Sequence, residues 1–328
     1  MKRLRNIPLL LVLMVSFCVF PTMGAKAAEW PTKPVTIVIP WGAGSLSFML
    51  AQLIGDEMGK ILNQRFLVVA KPGGSGATGS LYVKSSRPDG YTILQAWIAP
   101  FVMVPIRNPK VQYDPLKDFD LLAYATQNPV VALARKDAPY TTLGEFVDYV
   151  KKNPNRIFKF GSGGAMSLHS IYGNEVFHNA GVKVQGVYYQ ASSKALPDLV
   201  GGNLDVGFST FMSLARFEEL RALGVFAPDR IPEFKHVPTI KEQGLEAPVT
   251  MAWSGFAAPV GLPSEVRETL VSTLRKVLTD EEVKNRIFKN LNQFVVYHGP
   301  EDFKEMIQRD LKSMRPPVER IMERQKKK

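Results

Sequence analysis

Short β-branched apolar runs alternate with stretches of helical periodicity along most of this chain. Val35–Ile39, Phe66–Ala70 and Tyr91–Ala96 have the length and composition of strands. Between the first two, Leu50, Leu53, Ile54, Met58 and Ile61 recur on one helical face, which predicts a helix from Phe48 to about Leu62. A short helix carrying Leu81 and Val83 leads to the turn Pro88-Asp89-Gly90.

The rhythm restarts at Val130–Ala134. Thr142 and Glu145 have the spacing of a capping box and open a helix to about Lys152. Strands are predicted at Ile157–Phe160, Val184–Val187, Asp205–Phe208 and Leu223–Phe226, with helices from about Leu168 and around Lys194–Val200. After Val249 come an extended run at Trp253–Ala257, helices from Ser264 to Leu278 and from Thr279, and a strand at Phe294–Tyr297. Thr279 and Glu282 read as a second capping box. Phe303, Met306, Ile307, Met314, Val318 and Ile321 give a long terminal helix its apolar stripe. The pattern is α/β, with two lobes, each a sheet flanked by helices, and a ligand cleft between them. The expected division places residues 28–125 in the first lobe, 126–248 in the second, and 249–328 back in the first with the C-terminal helix.

The 328 residues suit two domains. The single cysteine, Cys18, excludes a disulfide scaffold, and four scattered histidines do not suggest a metal site. Residues 1–27 are set apart by Lys2, Arg3 and Arg5, an apolar run from Leu9 to Phe20, and the small-residue site Ala25-Lys26-Ala27. That order predicts a cleaved secretory signal peptide and an exported protein. The four basic residues of that segment leave +7 of the chain's +11 on the remainder, a balance that suits a protein handling anions. No arginine-rich helix with interleaved aromatics is present, so nucleic acid is not an expected partner.

Three small-residue loops follow strands and precede helices, at 42–47, 73–78 and 161–167. Ligands of open α/β sheets gather beyond the carboxyl ends of the strands, where helix N-termini present unpaired N–H groups and a dipole that favours an anion. Gly42, Ala43, Gly44, Gly73, Gly74, Gly76 and Gly163 permit close approach, and Ser45, Ser47, Ser75, Thr78, Ser162 and Ser167 add hydroxyls. Taken singly, each loop is equally an ordinary tight turn. His169 either touches a ligand or caps neighbouring backbone groups; Trp41 and Trp97 either wall a pocket or pack in the core. The loops lack the ending of a phosphate-binding P-loop, and neither a dinucleotide fingerprint nor a Gly-x-Ser-x-Gly elbow occurs. No cofactor and no catalytic residue are expected.

An ordered series of short motifs then identifies a family resemblance. It runs through Pro31-Thr32-Lys33-Pro34, Pro40-Trp41-Gly42-Ala43-Gly44, Lys71-Pro72-Gly73-Gly74-Ser75-Gly76 and Pro88-Asp89-Gly90-Tyr91-Thr92. It continues with Tyr113-Asp114-Pro115-Leu116-Lys117-Asp118-Phe119, Ser162-Gly163 through His169, Tyr189 with Ala195-Leu196-Pro197-Asp198-Leu199, and Gly201-Gly202-Asn203-Leu204-Asp205. Val237-Pro238-Thr239, Glu242-Gln243-Gly244-Leu245 and Trp253-Ser254-Gly255 complete it. The chain resembles the solute-binding proteins of the tripartite tricarboxylate transporter family, of the TctC or Bug type. The resemblance implies a type II-like periplasmic binding protein that closes on a small organic carboxylate and delivers it to large and small integral membrane subunits. Carried onto matching positions, the ligand would be held by Trp41 to Ser47, Gly73 to Thr78, and Ser162 to His169, with Tyr189 nearby.

This chain departs from the family pattern in places. Phe48 stands where an acid is usual, Gln52 where arginine is common, Ala165-Met166 where Gly-Thr or Gly-Ser is frequent, and Gln190 where a lysine follows Tyr189. The expected ligand is therefore less polar than citrate, an aromatic or aliphatic carboxylate met by Phe48 and Met166. Two other readings share these features: a sensing module for a membrane signalling partner, and an exported α/β enzyme acting on a carboxylate.

Overall fold

The computed structural model describes residues 30–326 apart from 212, 213 and 215. The expected signal peptide lies outside the described residues. The strands in chain order are β1 (Val35–Ile39), β2 (Phe66–Ala70), β3 (Thr92–Trp97), β4 (Phe119–Asn128), β5 (Val130–Arg135), β6 (Phe158–Ser162), β7 (Val184–Tyr188), β8 (Val206–Thr210), β9 (Leu220–Phe226), β10 (Ala252–Pro259) and β11 (Phe294–His298). The helices are α1 (Leu46–Leu62), α2 (Ala77–Lys84), α3 (Val104–Arg107), α4 (Leu143–Lys152), α5 (Leu168–Asn179), α6 (Leu196–Val200), α7 (Ser264–Thr279), α8 (Glu281–Leu291) and α9 (Pro300–Lys326).

Two sheets result. The first has the order β11-β4-β10-β3-β1-β2 and the second β7-β6-β8-β5-β9. Parallel pairing joins β2, β1 and β3 in one sheet and β7, β6 and β8 in the other. The remaining ladders are antiparallel. Val35, Ile37 and Ile39 of β1 face Leu50, Ile54, Leu270 and Ile287 in one apolar cluster, while Val38 belongs to the cluster on the other face. Burial on both faces explains why β1 is apolar at every position but Thr36.

The chain passes from the first sheet to the second between β4 and β5, through Pro129 alone. Proline has no N–H to continue the ladder, so the β4 pairing ends there. The return comes between β9 and β10. The two crossing strands lie side by side, and Thr126 Oγ1 and Ser254 Oγ share a buried hydrogen bond of 2.6 Å. One apolar cluster runs from Leu94 and Phe101 through Tyr124, Trp253 and Phe303 to Phe160, Tyr172 and Phe208, so the sheets share a core across the junction.

Several sequence expectations need correction. β4 carried no strand signal of its own: eight of its ten positions are buried, so the two-residue alternation of a half-exposed strand is absent. The helical turns at 99–107 contain Pro100 and Pro105, which argue against helix in a sequence, yet they sit in first-turn positions where no N–H is missed. α1 begins at Leu46 rather than Phe48, because the Ser45 side chain accepts from Phe48 N at 3.3 Å. The cap of α8 is Asp280, which accepts from Val283 N at 3.0 Å; Thr279 ends α7 and its hydroxyl donates to Arg275 O instead. Ile157 lies outside β6 and is 74% exposed. The Thr142–Glu145 capping box forms in full.

Candidate functional site

β1 and β2 end beside each other, with Ile39 opposite Ala70 and Lys71 N donating to Ile39 O at 2.9 Å. The loops that follow, 41–45 and 71–76, are therefore neighbours at the carboxyl edge of the first sheet. Gly79, in the helix after the second loop, lies so close to Pro40 that a Cβ there would sit 3.0 Å from the proline Cα.

In the first loop Gly42, Ala43 and Gly44 are exposed and Trp41 and Ser45 are half-buried. Gly44 has φ 78°, a conformation that glycine adopts without penalty. Ser45 caps α1, leaving the N–H groups of the first helical turn directed out of the helix end. Ser47 behaves differently from the expectation that it offers a free hydroxyl. Its Oγ is buried, donates to Gln95 Oε1, and accepts from Trp97 Nε1 at 3.1 Å. Trp97 Nε1 also reaches Gln95 Oε1 at 3.3 Å. Trp97 thus packs against the α1 side of the sheet, with its polar tip used inside the protein. Phe48 is half-buried against the same cluster and borders a groove of about 580 Å³ running along α1 to Arg286 of α8.

The second loop is defined by its backbone. Gly73, Gly74, Ser75 and Gly76 all have positive φ, at 134°, 56°, 56° and 93°. The Gly73 carbonyl accepts from both Gly76 N (2.9 Å) and Thr78 N (3.3 Å), folding the chain into a tight knuckle at the start of α2. Gly73, Gly74, Ser75 and Thr78 are exposed, whereas Gly76 is buried against Pro100.

The third loop follows β6 in the second sheet. Ser162 is buried, and its hydroxyl donates to Gly163 O at 3.1 Å, so this side chain also points into the protein. Gly163 N donates to Ser192 Oγ at 3.0 Å, and Tyr189 N donates to Ser162 O at 3.0 Å. Ser162, Gly163 and Tyr189 are thereby held together. The Tyr189 hydroxyl donates to Asp198 Oδ2 at 2.5 Å, and burial followed by that carboxylate pushes its pKa up to about 12. Ser167 caps α5, accepting from Ser170 N at 3.2 Å, and Ser170 Oγ donates to Gly164 O at 2.9 Å. Met166 is half-buried against the shared core.

His169 does not cap. Ser167 fills that role, and the buried Nε2 of His169 has no partner among the described residues. The residue as a whole is half-buried, but the enclosure of its imidazole pushes the pKa down to about 4, so it is neutral at neutral pH. Two site-adjoining residues carried no sequence signal strong enough to single them out. Gln95 is a polar residue inside the apolar run Ile93 to Ala96, the one hint of a buried hydrogen-bond hub. Ser192 lies 29 residues from Gly163, and nothing local marks it.

Trp41 to Phe48, Gly73 to Thr78 and Gly161 to His169 contain no Lys, Arg, Asp or Glu. A cavity of about 850 Å³, bordered by Ile157, Phe177 and Lys183, lies at the opposite end of β6 and β7. Among the described residues no helix is long and apolar enough to cross a membrane. Also among the described residues, no cluster of three or more His, Cys, Asp or Glu could hold a metal ion.

Residues 50–322 match the model of the TctC family, the tripartite tricarboxylate transporter family receptor. A UPF0065 protein from the TAR-I ttuE-ttuC' intergenic region of Agrobacterium vitis is 29% identical over 279 residues, 84% of this chain and 80% of that protein. The crystal structure of a ligand-free TctC solute-binding protein from Polaromonas superposes with a TM-score of 0.79 at 25% identity, covering 89% of this chain and 99% of that one. MatC from Rhodopseudomonas palustris, with bound malate, gives a TM-score of 0.69 at 27% identity over 88% of this chain and all of the other (100%).

Proposed function

The chain belongs to the tripartite tricarboxylate transporter receptor family, and from that premise we propose that it is a periplasmic solute-binding protein that captures a small organic carboxylate between two lobes and hands it to integral membrane transporter subunits. The proposed lobes are residues 28–125 with 249–328, and residues 126–248. Residues 1–27 are the cleaved export signal in this reading.

The observation that carries the proposal is the pair of serine-capped helix starts, Ser45 before α1 and Ser167 before α5. Each stands beyond the carboxyl end of a parallel strand, in loops without a charged side chain. Backbone N–H groups at such ends bind anions, and a hydrogen bond to a charged acceptor contributes about 1.5–3 kcal/mol. The bound malate of MatC supports a carboxylate as the ligand class. Closure follows from differential affinity: a ligand that touches both lobes only when they are shut shifts the population toward the shut form. Trp41, the exposed residues of the 73–78 loop, Met166, His169 and Tyr189 are the proposed contacts. With a thioether and an aromatic ring at hand and no fixed counter-charge, a ligand less polar than citrate is favoured.

A thermal-shift series tests this. The exported protein, stripped of ligand by unfolding and refolding, is screened against malate, succinate, citrate and a set of aromatic and aliphatic acids. A ligand at 100 times its dissociation constant stabilises the native state by about 2.7 kcal/mol, which moves the midpoint by several degrees. A shift with one of the less polar acids and little with citrate is expected. No shift with any carboxylate overturns the ligand class, and a preference for citrate overturns the polarity argument.

A further inference from the structure

The C-terminal helix α9 is fastened to both sides of the sheet junction. Its first half lies on the first sheet, where Phe303 packs edge-on against Trp253 of β10 at 5.3 Å between ring centroids and against Tyr124 of β4 at 5.8 Å. Two turns further on, buried Asp310 accepts from Trp253 Nε1 at 2.8 Å and from Thr250 Oγ1 at 2.5 Å. Thr250 belongs to the segment that returns from the second sheet. Its backbone is gripped from the other side by Tyr172 of α5, whose hydroxyl accepts from Thr250 N at 2.7 Å and donates to Thr250 O. Beyond that point α9 reaches α5 directly. Arg320 donates through Nε (3.2 Å) and Nη2 to the two carboxylate oxygens of Glu175, which is almost fully buried in α5.

Between the two attachment points the helix contains Pro316 and Pro317. Proline has no N–H, so the carbonyls of Lys312 and Ser313 lose their intrahelical donors and the rings crowd the preceding turn. Such a pair is where a helix bends. The two anchors are thus joined by a segment that yields more readily than an uninterrupted helix. The far anchor is α5, whose other end carries Ser167 and His169.

We propose that α9 is a two-point strap governing the relative swing of the two lobes, with Asp310 as its junction anchor, Arg320–Glu175 as its second-lobe anchor and Pro316-Pro317 as the flexure between them. Arg320 and Glu175 are positioning residues: they touch no ligand and act by limiting how far α5 moves from the first sheet. The prolines let that limit be soft. Loss of the ion pair frees the second lobe, and replacement of the prolines stiffens the strap.

Inter-lobe distances in the unliganded protein test the strap without reference to the identity of the ligand. In the exported protein, whose residues 28–328 contain no cysteine, the exposed Arg87 and Lys194 are changed to cysteine, spin-labelled, and their separation is measured by pulsed electron resonance. Arg320→Ala alone strands a buried carboxylate and threatens folding, so Glu175→Gln with Arg320→Met is the working variant. It is expected to broaden the distribution and add a longer population. Pro316→Ala with Pro317→Ala leaves the ion pair in place and is expected to narrow it. A distribution for the first variant that superimposes on the parent overturns the anchor. An unchanged or broader distribution for the proline variant overturns the flexure, whatever becomes of the first.

Discussion

Gly163 donates its backbone N–H to Ser192 Oγ at 3.0 Å, pinning the loop after β6 to the turn that precedes α6. Both residues stand next to Tyr189 and Ser162, so the shape of this end of the second sheet depends on a serine that is not itself in a glycine-rich loop.

Ser192→Ala leaves the buried Gly163 N–H without its acceptor, a cost of about 1–3 kcal/mol. A lower unfolding midpoint is expected, together with roughly tenfold weaker binding of whichever carboxylate scores in the thermal-shift series. Calorimetric titration of Ser192→Ala beside Ser193→Ala, an exposed neighbour, gives the comparison. Equal affinity in both variants detaches this pin from the site.

Ser47 and Gln95 form a shared hub with Trp97. Removing either partner strands the others, so Ser47→Ala and Gln95→Leu are each expected to cost about 1–2 kcal/mol. Their effects should not add: a coupling of at least ~0.5 kcal/mol is expected from a double-mutant cycle by urea unfolding. Additive losses would mean that the hub does not act as one unit.

The knuckle at 73–76 makes unequal demands on its residues. Gly76 has φ 93°, and an added Cβ would lie 3.0 Å from the Pro100 ring, so Gly76→Ala should destabilise by about 1–3 kcal/mol. Ser75 holds φ 56° without glycine's freedom. Ser75→Gly relieves that strain while making the unfolded chain more flexible, and the two effects are expected to leave stability within about 1 kcal/mol of the parent. Denaturant midpoints of the two variants distinguish these outcomes.

His169 gives a pH dependence of definite sign. Its folded pKa of about 4 lies below the unfolded value of about 6.5, so between those values the unfolded chain binds the proton that the folded protein refuses. The contribution is fully present above pH 6.5, declines as pH falls, and levels off once pH passes the folded value. In His169→Gln this part of the slope should vanish. Unfolding free energies of parent and variant at pH 7.5, 6 and 5 check it: the gap between them should change with pH, and parallel curves would contradict the burial of this ring.

Much of the architecture follows from local pattern. Val35–Ile39 is a strand from end to end because a run of β-branched residues buried on both faces has few other low-energy options, whereas Phe66–Ala70 is an edge strand with Leu67 and Val69 exposed on its outer face. Thr142 and Glu145 close their capping box because both bonds lie within a single turn. β4 has no strand signature in its sequence because burial at nearly every position erases the alternation that marks a strand. Thr279 and Asp280 compete for one cap. The choice fell to Asp280 once Thr279 was drawn into the last turn of α7.

The positions of the small-residue loops were likewise legible, since glycine and serine clusters after apolar runs mark strand ends. The role of each hydroxyl was not. Ser45 and Ser167 cap helices with bonds three residues long, which sequence spacing can anticipate. Ser47 and Ser162 turn inward, one toward Gln95 forty-eight residues away and the other onto its neighbour's carbonyl. His169 lost its capping role to Ser167 and was left with a buried, unpartnered nitrogen.

Local residue pattern sets the α/β alternation, the loops that end the strands and the absence of charge in those loops, because each depends on residues within a few positions of one another. Long-range packing is what brings Ser192 to Gly163, Gln95 to the Ser47 hydroxyl, and Arg320 to Glu175 across 145 residues. Those bonds form only after the sheets have brought distant segments within 3 Å or so of each other. No periodicity in the chain encodes that approach.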